Sequence, residues 1–365
     1  MSHRRRSALV ITLAAVAGAA LAAPATAAPP TPAPPPLTVV AQGLDDPYGL
    51  SFRAGKFYAA ENTTGEVSGF VRGGSGPVVR ASGFAGPAGV DRTAHDLLTV
   101  TGEGEPGTAG ASTLYVSSPS SAPRPLADLA AYELAENPDG QRQFGDDGQP
   151  LDALSNPFAV LGGRGGHERF AYVADAGANA VLAVDRHGTV STFFVPPVVT
   201  SGGCAGAPNN DPEHTGCDAV PTGLAFGPDG SLYVSALTSQ VPGEGRVYVL
   251  DARTGELRRT LTGLSGPTGV AVGDDGSVYV SELLEGAPPG EGPPPAGFDL
   301  STVGRIVRVA PDGARSVAQV TMPLGLRWAD GALYSTAWSV AGAFLGQSGA
   351  GQVVRVDASA FSAGS

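Results

Sequence analysis

The stretch Pro267-Thr-Gly-Val-Ala-Val-Gly-Asp-Asp-Gly276-Ser-Val-Tyr-Val-Ser-Glu282 contains two strands and the turn between them. Gly269 to Val272 form a short apolar run. Gly273-Asp-Asp-Gly276 is turn chemistry that accepts positive φ, and Ser277 to Ser281 then alternate, with Val278 and Val280 on one face. A third strand follows from Gly304 to Val309, a second tight turn at Pro311-Asp312-Gly313, and a fourth strand from Ala314 to Val320. The result is an antiparallel unit of four short strands.

The unit repeats. Its entry, Pro-x-Gly-aliphatic, returns as Pro47-Tyr48-Gly49-Leu50, Pro87-Ala88-Gly89-Val90, Pro221-Thr222-Gly223-Leu224 and Pro323-Leu324-Gly325-Leu326. Ala159 replaces the glycine in Pro157-Phe158-Ala159-Val160. Six entries spaced about 40 to 70 residues apart indicate radial repetition. Four-stranded units in a ring make an all-β, six-bladed β-propeller. The last unit has three strands, Leu326 to Trp328, Ala332 to Thr336 and Gln352 to Asp357, while Leu37 to Ala41 precedes the first entry unassigned. The N-terminal strand is therefore expected to complete the last blade and remove the open edge. The second unit, from Gly83 to Leu126, is degenerate; Asp96 to Thr101 and Ser112 to Ser117 are legible in it, and its outer strand is not.

The N-terminus reads differently. Arg4, Arg5 and Arg6 precede an apolar run from Ala8 to Ala23, and Ala25-Thr26-Ala27 supplies a small-x-small cleavage site, so residues 1–27 read as a secretory signal peptide. A Pro-rich extended spacer, residues 28–36, leads into a propeller domain spanning residues 37–365. The expected location is extracellular, with no membrane insertion after cleavage and a monomeric state. The whole chain has 22 basic and 34 acidic residues; without Arg4, Arg5 and Arg6 the balance is 19 − 34 = −15. Such a field repels a phosphate backbone and excludes nucleic acid as a partner. In an exported chain, Cys204 and Cys217, the two cysteines present, are expected to form a disulfide that staples their loop.

Pro267 to Glu282 and Pro157 to Asp185, above all Tyr172-Val-Ala-Asp175-Ala-Gly-Ala-Asn179, resemble the NHL repeat. The order of features over nearly the whole exported part is similar to the secreted ScyD/ScyE family of bacterial propellers. The features concerned are the helical stretch Leu129 to Asn137, the entry Ser155-Asn156-Pro157-Phe158 and the strand Tyr172 to Asp175. The resemblance implies a propeller architecture and no defined reaction.

Propellers commonly work at one mouth of the central channel. The entry residues Tyr48, Ala88, Phe158, Thr222, Thr268 and Leu324 should stand nearest the axis, an apolar and hydroxylated ring. Metal-dependent gluconolactonase-type propellers place a carboxylate or Asn just before the glycine of several inner strands, and none stands there here. Tyr48, Phe158, Thr222, Thr268, Asn156 and Tyr132 are the candidate ligand-binding residues of the mouth. The insertion at residues 128–155 is expected to lie across that mouth as a lid, with Tyr132 and Glu133 facing inward. Glu61, Asp175 and Glu282, at the ends of second strands, are the candidate metal ligands, with Asn62 beside them; calcium is the cofactor such oxygen donors would hold. Asp139, Asp146, Asp147 and Asp152 depart from the spacing of a calcium loop and read as a solvated acidic turn. His95, His167, His187 and His214 accompany no nucleophile elbow, so no catalytic residue is assigned. The expectation is a binding or interaction module for a small molecule, glycan or protein. The alternative is a metal-assisted extracellular hydrolase or lyase acting at Asp175 and Glu282.

Overall fold

A computed structural model describes residues 37–104, 108–118, 121–164, 169–289 and 294–363. The signal peptide and spacer expected at residues 1–36 lie outside the described residues, as does His167. Six antiparallel sheets make a six-bladed β-propeller. The inner strands are Pro47–Arg53, Pro87–Arg92, Pro157–Gly162, Pro221–Phe226, Pro267–Val272 and Leu326–Ala329. Five of the six begin on the motif proline; the sixth begins at Leu326, behind Pro323. Closure is by strand exchange. Leu37–Leu44 pairs antiparallel with Gly351–Val356 as the outermost strand of blade 6, Leu37 opposite Val356 and Leu44 opposite Gly351.

In blades 2 to 5 the ladder slips between the motif proline and the residue two places on, and in blade 1 between Pro47 and Leu50. The bulge takes the variable residue of Pro-x-Gly out of register. The glycine then packs backbone to backbone on the next blade. A Cβ on Gly49 would stand 2.7 Å from the Ala88 carbonyl oxygen, one on Gly269 2.2 Å from that of Leu324, and one on Gly325 2.4 Å from that of Tyr48. The motif glycine is thus a spacing device for neighbouring inner strands.

The hydrophobic core is divided among the blade interfaces. Leu98, Leu114, Val173 and Leu182 fill the gap between blades 2 and 3, and Tyr172, Val181, Leu232 and Tyr248 that between blades 3 and 4. Where blade 6 meets blade 1, Phe57 stacks on Phe70 and meets the Tyr334 ring at a tilt. Alternation along each strand puts apolar side chains into both flanking interfaces, which is why central strands such as Ala180–Val184 are buried throughout.

The outer strand of blade 2 is Arg124–Asp128. Its Pro125 disguises it in sequence, yet proline is tolerated on an edge because its missing N–H faces outward. Ser362–Ala363 adds a two-residue fifth strand to the outer edge of blade 5. Cys204 and Cys217 are disulfide-bonded and buried against Val199. Among the described residues, no helix is long and apolar enough to cross a membrane.

Candidate functional site

The two ends of the channel differ. At the motif end, Tyr48 and Phe158 from blades 1 and 3 meet across the axis with ring centroids 5.9 Å apart. Loops from blades 5 and 6 close over them, and Leu283, Val303, Met322, Leu324 and Val340 form a buried cap with Trp338 and Phe298 against it. Burial, helped by the charge of Asp46, pushes the Tyr48 phenol up to about 12. Thr222 and Thr268 turn their hydroxyls to the next blade, donating to the carbonyls of Pro267 (2.8 Å) and Pro323 (3.4 Å). Ala88 is buried. The free space along the channel between the inner strands is about 50 Å³, room for a few waters. Tyr48, Phe158, Thr222 and Thr268 are therefore brought together, as a plug.

Asn156 does not join them. Its side-chain oxygen accepts from the Glu103 N–H (3.1 Å), and its own N–H donates to Asp175. Tyr132 faces the rim of the ring: its hydroxyl lies 2.8 Å from Thr192 Oγ1 on the outer strand of blade 3. The helix Leu129–Glu136 is N-capped by Asp128, which accepts from the Ala131 N–H, and it sinks Leu129 between blades 2 and 3. The helix thus belongs to a blade interface, which is why Tyr132 does not reach the axis.

Glu61, Asp175 and Glu282 do not converge either. Each is buried and holds the entry loop of its own blade. Glu61 accepts from the Asp45 N–H (2.8 Å) and Glu282 from the Ser265 N–H (2.6 Å), in both cases two residues ahead of the motif proline. Asp175 accepts from the Ser155 hydroxyl and the Asn156 N–H, both at 2.7 Å. Glu282 is also paired with Arg305 (2.6 Å). Burial raises all three carboxyls, against the pull of these hydrogen bonds. Asn62 donates to the Pro87 carbonyl from its side-chain nitrogen at 3.5 Å. Among the described residues, no three His, Cys, Asp or Glu side chains are grouped to hold a metal ion.

The acidic residues of the insertion are likewise engaged with neighbours. Asp139 accepts from Asn179, Asp152 from Asn210, Asp147 from the Gln149 N–H, and Asp146 pairs with Arg142. Glu133 is buried with one carboxylate oxygen on Gln143 and the other unpartnered. Burial, then the charges of Asp139 and Asp175, raise it to about 7. A folded-state value above the unfolded one means that the native state holds the proton more tightly. Glu133 should therefore weaken the fold progressively as pH rises from about 4.5 to 7. Glu133→Gln should flatten that part of the pH–stability curve and raise the melting temperature at pH 8, read by thermal denaturation across the pH range. A Gln variant that keeps the wild-type slope would refute the assignment.

The opposite mouth is open. Between the C-terminal ends of the inner strands lies a basin of about 720 Å³, floored by Leu161, Leu224, Val270 and Leu326 and walled by Phe226 and Trp328. Arg53, Arg92 and Arg327 arrive on the inner strands of blades 1, 2 and 6, and Arg164 follows that of blade 3 by two residues. Arg169 and Arg186 also line the basin. The described aspartates of the lining are Asp91, Asp96 and Asp274, so six arginines face three aspartates in a chain of net charge −12.

Asp91 is committed to the scaffold. It is buried, accepts from the Ser51 hydroxyl (2.7 Å) and the Gly162 N–H (2.9 Å), and lies 3.7 Å from an Arg327 nitrogen. It therefore joins blades 1, 2, 3 and 6 at the basin floor. Arg164 lies 4.4 Å over the Phe226 ring and has its ordinary pKa lowered by burial and by the charge of Arg327, with Asp229 opposing. His95 stands exposed on the rim, His187 sits in an exposed hairpin turn, and His214 pairs with Asp211. Arg53, Arg92 and Arg164 stand at the opposite ends of the inner strands from the Pro-x-Gly motif, outside the candidate set. Their signal was available as a basic residue some five to seven places after the proline in Pro47…Arg53, Pro87…Arg92 and Pro157…Arg164.

No protein-family model matches the chain, and no curated protein matches it. Solved structures share the fold. The PQQ-bound aldose sugar dehydrogenase of Streptomyces coelicolor is similar at 13% identity and TM-score 0.54, over 88% of this chain and 99% of that one. A protein of unknown function from Bacteroides thetaiotaomicron is similar at 15% identity and TM-score 0.51, over 88% and 75%. A calcium-binding regucalcin of Agrobacterium tumefaciens follows at 16% identity and TM-score 0.48, over 88% and 94%. At these identities the likeness is one of fold.

Proposed function

We propose that the chain is an exported ligand-binding propeller of the ScyD/ScyE type that takes a small molecule at its open basin. The observation that carries this is the contrast between the ends of the channel. The motif end is plugged by Tyr48, Phe158 and the cap above them, whereas the other end is a concavity of about 720 Å³, the size of a small-molecule site. The basin has the composition such sites use, an apolar floor with a few convergent polar groups. The resemblance of the chain to secreted propellers and the disulfide Cys204–Cys217 agree with work outside the cytoplasm. The metal-assisted alternative has less to stand on, because Glu61, Asp175 and Glu282 are already spent on entry loops.

A thermal-shift screen of metabolites, followed by amide hydrogen exchange on each hit, tests the reading. Protection is expected at residues 224–228 and 270–274. Protection confined to residues 338–345, over the plugged end, would place the site at the other mouth and overturn it.

A further inference from the structure

Among the described residues, the basin lining carries more positive charge than negative. Blades 3 and 6 face one another across a six-bladed ring, and each sends one guanidinium, Arg164 and Arg327, to the same concavity. The two are near enough for the charge of one to disfavour the charge of the other. Among the described residues, Arg164 meets the Gly227 carbonyl at 3.4 Å, the face of Phe226 and the charge of Asp229. Arg327 has Asp91 at 3.7 Å, but that carboxylate already accepts two shorter hydrogen bonds. Arg53 and Arg92 add to the same field from blades 1 and 2. Convergent like charges raise the free energy of the empty basin, and a low-dielectric wall concentrates their potential on whatever enters. Each guanidinium also presents a planar fork of donors that matches a carboxylate or phosphate in bidentate fashion.

We infer that the basin binds an organic oxyanion, a carboxylate or phosphate monoester, whose charged group sits between Arg164 and Arg327 while its apolar body lies against Phe226, Leu224 and Trp328. This rests on the proposal that the open basin is the ligand site and names the chemistry that it selects. A chain of net charge −12 repels anions at large, so a basic basin confines them to one place.

The test uses matched pairs of probes with ligand-observed NMR and calorimetry on the intact protein. Aromatic carboxylic acids are compared with their primary amides, and phenyl phosphate with phenol. Acids and phosphate are expected to bind and their neutral partners not to. Arg164→Gln and Arg327→Gln should each weaken binding about tenfold or more, the worth of one charge-assisted pair. Both variants should keep the wild-type melting temperature within a few degrees. Comparison of the two acidic series shows whether carboxylate or phosphate is preferred. A rim-blocking variant, Ala94→Trp with Asp274→Trp, separates the failures. If acids and neutral partners bind alike and the blocked rim loses both, the oxyanion inference falls and the basin stands. If no probe binds, or the blocked rim changes nothing, both fall.

Discussion

Gly269→Val is expected to lower the melting temperature by about 5 °C or more, the consequence of roughly 3 kcal/mol of overpacking at the axis of the ring. The cause is the approach of neighbouring inner strands. A Cβ at this position would lie 2.2 Å from the Leu324 carbonyl oxygen and 2.9 Å from the Ser281 hydroxyl. The first obstacle is backbone and cannot swing aside. The second is the hydroxyl that donates to that same carbonyl at 2.7 Å, so displacing it also breaks an inter-blade hydrogen bond. Strain at one inner strand is passed to its neighbours, because the ring is closed and no blade can move outward alone. The reverse change, Ala159→Gly, gives blade 3 the usual motif and should cost only the backbone entropy of one glycine, about 1 kcal/mol or less. Thermal denaturation of the two variants side by side reads the difference. Equal melting temperatures would mean that the motif glycine reflects turn preference rather than strand spacing.

Asp91→Ala should cost about 3 kcal/mol by urea denaturation, more than an exposed carboxylate could. Asp91 supplies both oxygens, one to the buried Ser51 hydroxyl and one to the half-buried Gly162 N–H, and truncation leaves both donors without that acceptor. Ser51 also accepts from the Arg92 N–H at 2.9 Å, so the loss spreads to the inner strand of blade 2. Asp91→Asn retains one acceptor oxygen and should fall between wild type and alanine. Ser51→Ala in the Asp91→Ala background should cost less than in wild type, since the orphaned hydroxyl is then gone. Additive losses would show that the two residues do not act as one unit. The same substitution bears on the basin, for Arg327 loses its nearby carboxylate and the positive field of the mouth grows.

The fold was legible because propeller order is written locally. A turn such as Gly273 to Gly276, a two-residue alternation at Val278 and Val280, and a strand at Leu37–Leu44 lacking a partner each state their role within a few residues. The outer strand of blade 2 escaped because its Pro125 imitates a loop. The three candidate metal carboxylates were rightly placed at equivalent blade positions, but equivalence in a ring means separation by the width of the ring unless the side chains reach inward. Glu61, Asp175 and Glu282 turn instead to the backbone two residues or fewer ahead of their own prolines.

What the chain alone settled is the number of blades and the closure by the N-terminal strand, and it also named Tyr48, Phe158, Thr222, Thr268 and Leu324, which line the channel. All of these follow from a short-range pattern repeated along the chain at intervals of about 40 to 70 residues. Which end of the channel is open was decided only in three dimensions. The plug needs Leu283, Met322 and Val340, from loops of two blades, to meet over Tyr48 and Phe158 from two others. The basin needs Arg164 and Arg327, far apart in the chain, to share one concavity. Charge and burial add up over space rather than along the chain, so the character of a mouth appears only when the ring has closed.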